Sequence, residues 1–191
     1  MATALVKIDM HMVFHVKSTS KTIRKEDIGR VFEYIGGIIK SIGGIPMEIG
    51  GMPDHIHILA SLPKTMSVAE FAKVVKAKSS LWIKSVDVYY SGFAWQEGYG
   101  AFSVSPTLLG KTVNYIRNQE NHHKVRSFRE ECMMFADAYN IPFDEKHMFP
   151  ACGPAPLRDL ACGVLRCVPC GSGNEFPACG PAPLRGAMLA L

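Results

Sequence analysis

Residues 45–59 read IPMEIGGMPDHIHIL, and this stretch indicates how the chain folds. Strand-favouring residues cover about Ile45–Ile49 and again His55–Leu62, with glycine, proline and aspartate between them at residues 50–54. Turn-forming residues between two extended segments predict a β-hairpin with a loop of about five residues. We therefore expect two adjacent antiparallel strands in this part of the chain.

Two histidines in the second of these strands suggest a metal site. His55 and His57 are separated by one residue, so on a strand both imidazoles project from the same face of the sheet. Imidazole nitrogens are common ligands of divalent metals. The alternative is a half-exposed strand that carries two histidines and no ligand.

A helix further along the chain carries residues that suit such a site. Residues 111–119 have helical character, which places Tyr115 and Gln119 at positions i and i+4 on one helix face. A tyrosine and a neutral oxygen ligand, brought to a two-histidine metal site, are equipped for nucleophilic attack on a phosphodiester. A half-buried packing role for Tyr115 is the alternative, because spacing alone does not show that the helix meets the strand.

The composition is that of a globular protein. The chain has 191 residues, of which 48% are hydrophobic and 20% are charged, which suits one ordinary domain with an appendage. No apolar run approaches the roughly 18 residues that a membrane span needs. Residues 1–9 lack the basic-then-apolar order of a signal peptide, so we expect a cytoplasmic protein.

Positive charge is concentrated in two predicted helices. Residues 64–84 contain five lysines and a single acid, and residues 111–129 contain five cations and a single acid. Two basic helices suit a polyanionic partner such as nucleic acid, although solvated helix faces have the same composition. The candidate contacts with phosphate groups are Lys73, Lys76, Lys78, Lys84, Arg117, His122 and His123.

The remaining patterns complete an α+β architecture. Residues 5–16 alternate as a half-buried strand, residues 25–42 carry a helical apolar stripe, and Ser67 begins a capping box that opens the lysine-rich helix. An aromatic, glycine-punctuated extended segment covers residues 93–104. The order βαββαβ predicts a ferredoxin-like split βαβ fold, in which helices cover one face of an antiparallel sheet and leave the other face free for a ligand.

Two C-terminal helices are expected after this sandwich. Ser105 followed by Pro106 predicts the start of the helix that carries Tyr115, the candidate catalytic helix. Ser127 and Glu130 form a second capping box, which predicts a helix extending to about Tyr139.

The sequence changes character after residue 149. The unit FPACGPAPLR occurs at residues 149–158 and again at 176–185, and five of the six cysteines lie in this part of the chain. We interpret residues 1–149 as one domain and residues 150–191 as a largely irregular tail. Cys167 and Cys170 form one close pair, whereas a structural zinc site usually has two, so reduced thiols are the preferred interpretation.

Four blocks of sequence resemble the small single-tyrosine transposases of bacterial insertion sequences, including those associated with repetitive palindromes. These enzymes belong to the HUH endonuclease superfamily. The blocks occur in the family's order and read YIGGII at residues 34–39, GGIPMEIGGMPDHIHIL at 43–59, FAWQEGYGAFSVS at 93–105 and YIRNQENHH at 115–123. The resemblance covers roughly residues 5–149 and leaves out the tail.

This resemblance implies a metal-dependent DNA strand transferase. His55 and His57 match the paired histidines of the family's motif, Tyr115 matches the nucleophile, and Gln119 matches the third metal ligand. The resemblance also implies Mg²⁺ or Mn²⁺ as the cofactor, single-stranded DNA with hairpin ends as the substrate, and a 5′-phosphotyrosine intermediate. A homodimer located at the nucleoid is expected for the same reason.

Two other functions fit the same residues. A nuclease or phosphoesterase would use water for the attack, with Tyr115 in a structural role. A domesticated, non-catalytic relative would bind hairpin DNA or RNA without cleaving it.

Overall fold

The structure is a computed structural model, and it describes residues 5–142. The tail at residues 150–191 and the domain boundary before it lie outside the described residues, so both stay predictions. The order of elements is β1 (Asp9–His15), α1 (Lys25–Ser41), β2 (Ile45–Met52), β3 (His55–Ser61), α2 (Val68–Val86), β4 (Gly100–Ser103), α3 (Leu109–Arg117), α4 (Gln119–His122) and α5 (Phe128–Ala138), with a single 3₁₀ turn at Val88–Tyr90.

The four strands form one antiparallel sheet in the order β2-β3-β1-β4. This order and the βαββαβ succession confirm the predicted ferredoxin-like α+β fold. The hairpin between β2 and β3 is tighter than expected, because β2 continues to Met52 and only Pro53 and Asp54 lie between the strands. His57 is paired with Val13 of β1 and Gly50 of β2, so it lies on the central strand pair.

Helices α1 and α2 cover one face of the sheet. Alternate residues of β1 and β3, including Met12 and Ile58, meet helix residues such as Ile35 and Phe71 in the main hydrophobic core. Ser67 caps α2 by accepting a hydrogen bond from the backbone N–H of Glu70. None of the helices within residues 5–142 combines the length and apolar character that a bilayer crossing requires.

The second face of the sheet is also covered, so the expectation of a free ligand face was wrong. Val13 and Leu59 pack there against Tyr115 and Ile116 of α3 and Phe135 of α5. The capping box at Ser127 and Glu130 is present as predicted and fixes the start of α5. Because α5 has its own apolar stripe, it stabilises the fold by burying that stripe on the sheet.

A glycine allows α3 to approach the sheet closely. A Cβ atom placed on Gly50 would lie 2.7 Å from the backbone oxygen of Ile116 and 2.8 Å from its Cγ2 atom. Any larger residue would force α3 and β2 apart. The absence of a side chain at Gly50 therefore helps to determine where α3 holds Tyr115.

The helix that carries Tyr115 differs from its prediction at both ends. It begins at Leu109, because the hydroxyl of Ser105 bonds that of Thr107 instead of capping a helix. It ends at Arg117, and Asn118 separates it from α4, where Gln119 lies. Tyr115 and Gln119 are thus on two consecutive helical segments.

The extended segment predicted for residues 93–104 is a strand over Gly100–Ser103 only. Trp95 makes an isolated bridge to Val16, and its indole N–H donates to the hydroxyl of Ser79 at 2.9 Å. Phe93 is buried in the main core. Phe93 and Trp95 therefore fill the core beside α2, whereas Phe102 lies on β4 and packs on the other face of the sheet.

Candidate active site

The two histidines of β3 lie side by side on the face that α3 and α5 cover. Both side chains are fully buried. The Nδ1 atom of His55 lies 2.8 Å from a carboxylate oxygen of Asp54, so Nδ1 carries the proton and donates it. This hydrogen bond leaves the Nε2 lone pair of His55 directed into the site.

A third histidine, which the sequence analysis placed only on the alternating strand, supports His57. The Nε2 atom of His11, on β1, lies 3.0 Å from Nδ1 of His57. Burial lowers the pKa of both imidazoles well below the usual value for histidine, so this pair is neutral and shares one hydrogen bond. When Nδ1 of His57 is the donor, its Nε2 atom is free to bind a ligand.

An acid that the sequence analysis did not select completes the cluster. Glu131, on α5, places its Oε2 atom 3.4 Å from Nε2 of His57 and 3.9 Å from Nε2 of His55. Burial raises the pKa of Glu131 to about 7, against the opposing influence of His55. One feature of the sequence indicates that Glu131 is buried. It lies four residues before Phe135, on the apolar side of α5.

The cluster has three buried atoms that the protein itself does not satisfy. Nε2 of His55, Nε2 of His57 and Oε2 of Glu131 are closed to solvent and have no hydrogen-bond partner. These three atoms lie within 4.8 Å of one another. Their lone pairs repel one another unless a cation or a proton lies between them. Two imidazole nitrogens and a carboxylate oxygen are a suitable donor set for a divalent cation such as Mn²⁺ or Mg²⁺.

Gln119 borders this cluster, where its side chain is buried. Its amide nitrogen donates to Oε1 of Glu131 at 3.3 Å, and its amide oxygen lies 3.0 Å from Nε2 of His123. Burial, followed by the neighbouring His55, lowers the pKa of His123, which favours its neutral form. The structure thus brings Gln119 to the site, but its oxygen is hydrogen-bonded to a neighbour.

Tyr115 meets the histidines across the sheet–helix interface. Its ring lies edge-on to His57 and to His11, with centroid distances of 5.9 and 6.1 Å. The residue is 8% exposed, and its ring also lies 4.8 Å from that of exposed His122. The helix and the strand therefore meet, which spacing alone could not show.

The predicted phosphate contacts have different surroundings. Lys73, Lys78 and Lys84 are exposed on α2, which lies on the opposite face of the sheet from the histidines. The ammonium group of Lys76 donates to the backbone oxygens of Gln96 and Gly98, each at 2.6 Å.

The other candidates lie near α3 and α4. Arg117 is paired with Glu48 on β2 at 2.8 Å, and its side chain is largely exposed. His122 stands beside Tyr115, whereas His123 joins the Gln119–Glu131 group. His122 and His123 are adjacent in the sequence, yet their side chains contact different groups.

Comparison with known proteins indicates the family. A sequence model described as "Transposase IS200 like" matches residues 4–119. A crystal structure from Deinococcus radiodurans R1, provisionally assigned as a transposase, is 20% identical with a TM-score of 0.49, over 62% of this chain and 95% of that one. A REP-associated tyrosine transposase bound to a REP hairpin is 11% identical with a TM-score of 0.48, over 64% of this chain and 73% of that one.

No curated protein matches the chain. The family model nevertheless covers more than half of the sequence, and its span includes His55, His57, Tyr115 and Gln119. The chain belongs to the family of IS200-like transposases.

Proposed function

We propose that this protein cleaves and rejoins single strands of DNA by transesterification, with Tyr115 as the nucleophile. The observation that carries the proposal is the contact between the rings of Tyr115 and His57 within one chain. A phenol placed against a cluster of metal-ligating atoms is the arrangement that attack on a phosphodiester requires.

The proposal includes a Mg²⁺ or Mn²⁺ ion held by His55 and His57, with an oxygen ligand from the adjacent helices. Such an ion, when bound, neutralises the charge that develops on the phosphate oxygens as the tyrosine attacks. Asp54 and His11 hold the far nitrogen of each imidazole, which keeps both Nε2 atoms aimed at the same point.

Tyr115 supplies the new bond. Its phenolic oxygen attacks phosphorus, the bond between phosphorus and the 3′ oxygen breaks, and the phenolic proton is lost while the leaving 3′ oxygen gains one. The products are a 5′-phosphotyrosine and a free 3′-hydroxyl, and attack by another 3′-hydroxyl reverses the step and joins new ends.

The proposed partner is single-stranded DNA with hairpin ends, bound by a homodimer. The exposed lysines of α2, Lys73, Lys78 and Lys84, lie on the face of the sheet opposite the histidines. If they bind phosphates, they position a hairpin stem away from the strand that is cleaved. Such contacts contribute affinity that falls as the salt concentration rises.

A second function, binding of hairpin nucleic acid without cleavage, has one observation in its favour. The ligand atoms of His55, His57 and Glu131 are closed to solvent by the helices above them. A DNA phosphate reaches these atoms only if α4 or α5 shifts. A protein in which that shift does not occur would retain hairpin binding and lack cleavage.

Denaturing gels distinguish these functions. Labelled single strands from the DNA that flanks the gene are incubated with the wild-type protein or with Tyr115→Phe, with and without Mn²⁺. Metal-dependent cleavage with a covalent protein–DNA band, both lost in Tyr115→Phe, supports the proposal. Equal cleavage by both proteins without that band indicates a nuclease that uses water. Hairpin binding in a native gel, without any cleavage in the denaturing gel, indicates the second function.

A further inference from the structure

We propose that Glu131 of α5, and not Gln119, supplies the oxygen ligand that completes the cation site with His55 and His57. This inference rests on the proposed function, because it concerns the cation that this function requires. It also extends the site beyond residue 119, where the match to the family model ends.

The spacing of the three atoms supports this assignment. Ligand bonds of about 2.1 Å with angles of about 90–110° separate neighbouring ligand atoms by roughly 3.0–3.4 Å. Oε2 of Glu131 lies 3.4 Å from Nε2 of His57 and 3.9 Å from Nε2 of His55. A small inward movement of Glu131 toward His55 therefore produces the spacing of a bound divalent cation.

Each of the three proposed ligands has one atom held by a neighbour and one atom left for the cation. Asp54 holds Nδ1 of His55. His11 holds Nδ1 of His57, and Gln119 holds Oε1 of Glu131 through its amide N–H group. The atoms that remain, two Nε2 and one Oε2, are the buried side-chain atoms within residues 5–142 that have no hydrogen-bond partner. Outer partners of this kind orient metal ligands in proteins.

The surroundings of Gln119 suit a positioning residue better than a ligand. Its oxygen faces Nε2 of His123 at 3.0 Å, and its nitrogen faces Glu131. Rotating the amide would reverse the hydrogen bond to His123 and direct the amide oxygen at the carboxylate of Glu131, which cannot donate to it when ionised. The hydrogen bond from Gln119 therefore holds the carboxylate of Glu131 in its orientation. The hydrogen bond with His123 holds the amide of Gln119 in turn.

A ligand from α5 has two consequences. The carboxylate is a hard, anionic donor that suits Mg²⁺ and Mn²⁺ better than a third neutral group does. Because His55 and His57 belong to β3 and Glu131 belongs to α5, the cation joins the helix to the sheet. Binding of the cation to the folded protein should therefore raise its melting temperature.

The test is Mn²⁺ binding by the full-length protein under reducing conditions, measured by calorimetry and by the metal-dependent change in melting temperature. The variants are Glu131→Gln, Glu131→Asp, Gln119→Ala and His57→Ala. Asp137→Asn is the matched control, since this acid is exposed on the same helix. Circular dichroism without metal verifies that each variant folds, and the isosteric Glu131→Gln change replaces a carboxylate oxygen that makes no hydrogen bond.

We expect Glu131→Gln to weaken Mn²⁺ binding on the order of 100-fold and to abolish the rise in melting temperature. Gln119→Ala should weaken binding about tenfold, with Glu131→Asp between wild type and Glu131→Gln, and Asp137→Asn should match wild type. Wild-type affinity in Glu131→Gln, or a larger loss in Gln119→Ala than in Glu131→Gln, overturns the assignment. If the wild-type protein itself binds neither Mn²⁺ nor Mg²⁺, the cation in the proposed function is wrong as well.

Discussion

The ring of Tyr115 lies edge-on to the imidazole of His57, with the ring centroids 5.9 Å apart and the planes at 85°. One ring is carried by α3 and the other by β3 of the same chain. The close packing of α3 at Gly50 holds this arrangement in place. The proposed nucleophile and the proposed cation ligands therefore lie next to each other in one chain.

Replacing Tyr115 by phenylalanine should abolish cleavage and leave the fold intact. The variant removes only the hydroxyl, and the ring keeps its contacts with His11 and Phe135. We expect the cleavage rate to fall on the order of 10³-fold or more, with a stability change below about 1 kcal/mol. The measurements are single-turnover cleavage of labelled DNA and thermal unfolding.

Mixing two inactive variants tests whether the tyrosine acts within its own chain. Because Tyr115 lies beside His57 of the same chain, a mixture of Tyr115→Phe and His57→Ala should remain inactive. Recovery of cleavage in the mixture would show that a tyrosine from one subunit serves the histidines of another.

Substituting Gly50 should displace Tyr115, the proposed nucleophile, without altering any reactive group. In Gly50→Ala the new methyl group meets the backbone of Ile116, so α3 must shift. We expect cleavage to fall about 10- to 100-fold because reacting groups are displaced. Gly110→Ala is the matched control, since a Cβ atom at Gly110 meets nothing within 4 Å. Equal activity of the two alanine variants would contradict the positional role of Gly50.

His11 should influence metal affinity through His57. His11→Ala removes the partner of Nδ1 of His57, so the imidazole loses its fixed orientation. We expect Mn²⁺ affinity to fall about 10- to 100-fold in calorimetric titrations. His122→Ala, which changes an exposed imidazole beside Tyr115, should bind Mn²⁺ like the wild-type protein. An unchanged affinity in His11→Ala would exclude this role.

A buried tyrosine away from the site should make stability sensitive to alkaline pH. The hydroxyl of Tyr90 accepts from the backbone N–H of Arg24 and donates to Asp27 at 2.8 Å. Burial, with a smaller contribution from Asp27, raises the pKa of Tyr90 from its ordinary 10.0 to about 12. The folded state therefore favours the neutral phenol, which contributes stability below about pH 10 that is lost as the pH rises from about 10 to about 12.

The comparison of Tyr90→Phe with wild type measures this contribution. At neutral pH the variant should be less stable by about 1–3 kcal/mol, because Asp27 and the N–H of Arg24 lose a buried partner. The difference should shrink above about pH 10. Tyr34→Phe, at a side chain that is 37% exposed, should follow the wild-type curve. A constant difference between Tyr90→Phe and wild type from pH 8 to 12 would contradict the assignment.

Local patterns were sufficient to predict most of the fold. Strand alternation around His11, the helical stripe of α1, and the hairpin at Pro53 each depend on residues close together in sequence. The order βαββαβ then leaves few ways to arrange the sheet, and the structure has the predicted fold class. The Ser127 capping box was also found as predicted, because its two partners are three residues apart.

The features that were missed depend on contacts between distant parts of the chain. Glu131 was not selected because its partners are on β3, and nothing near it in the sequence indicates where α5 docks. The same docking explains why the second face of the sheet is covered. Phe93 and Trp95 have the composition of a strand, yet their burial beside α2 determines their conformation. Tertiary packing overrides β-propensity there.

The sequence predicted the position of Tyr115 beside the histidines better than it predicted the bounds of the helix that carries it. The residue meets the histidines as anticipated, although the helix breaks at Asn118 before Gln119. This break places Gln119 between His123 and Glu131. The predicted continuous helix therefore placed Tyr115 and Gln119 near the histidines. It could not determine which atom of Gln119 faces the proposed cation.

Mass spectrometry identifies the residue that attacks DNA, when the protein is incubated with single-stranded DNA and Mn²⁺ and then digested with nuclease and trypsin. We expect a nucleotide attached through phosphate to the tryptic peptide that contains Tyr115, and no modified peptide from Tyr115→Phe. Cleaved DNA with an unmodified Tyr115 peptide, or attachment at another residue, would contradict this expectation.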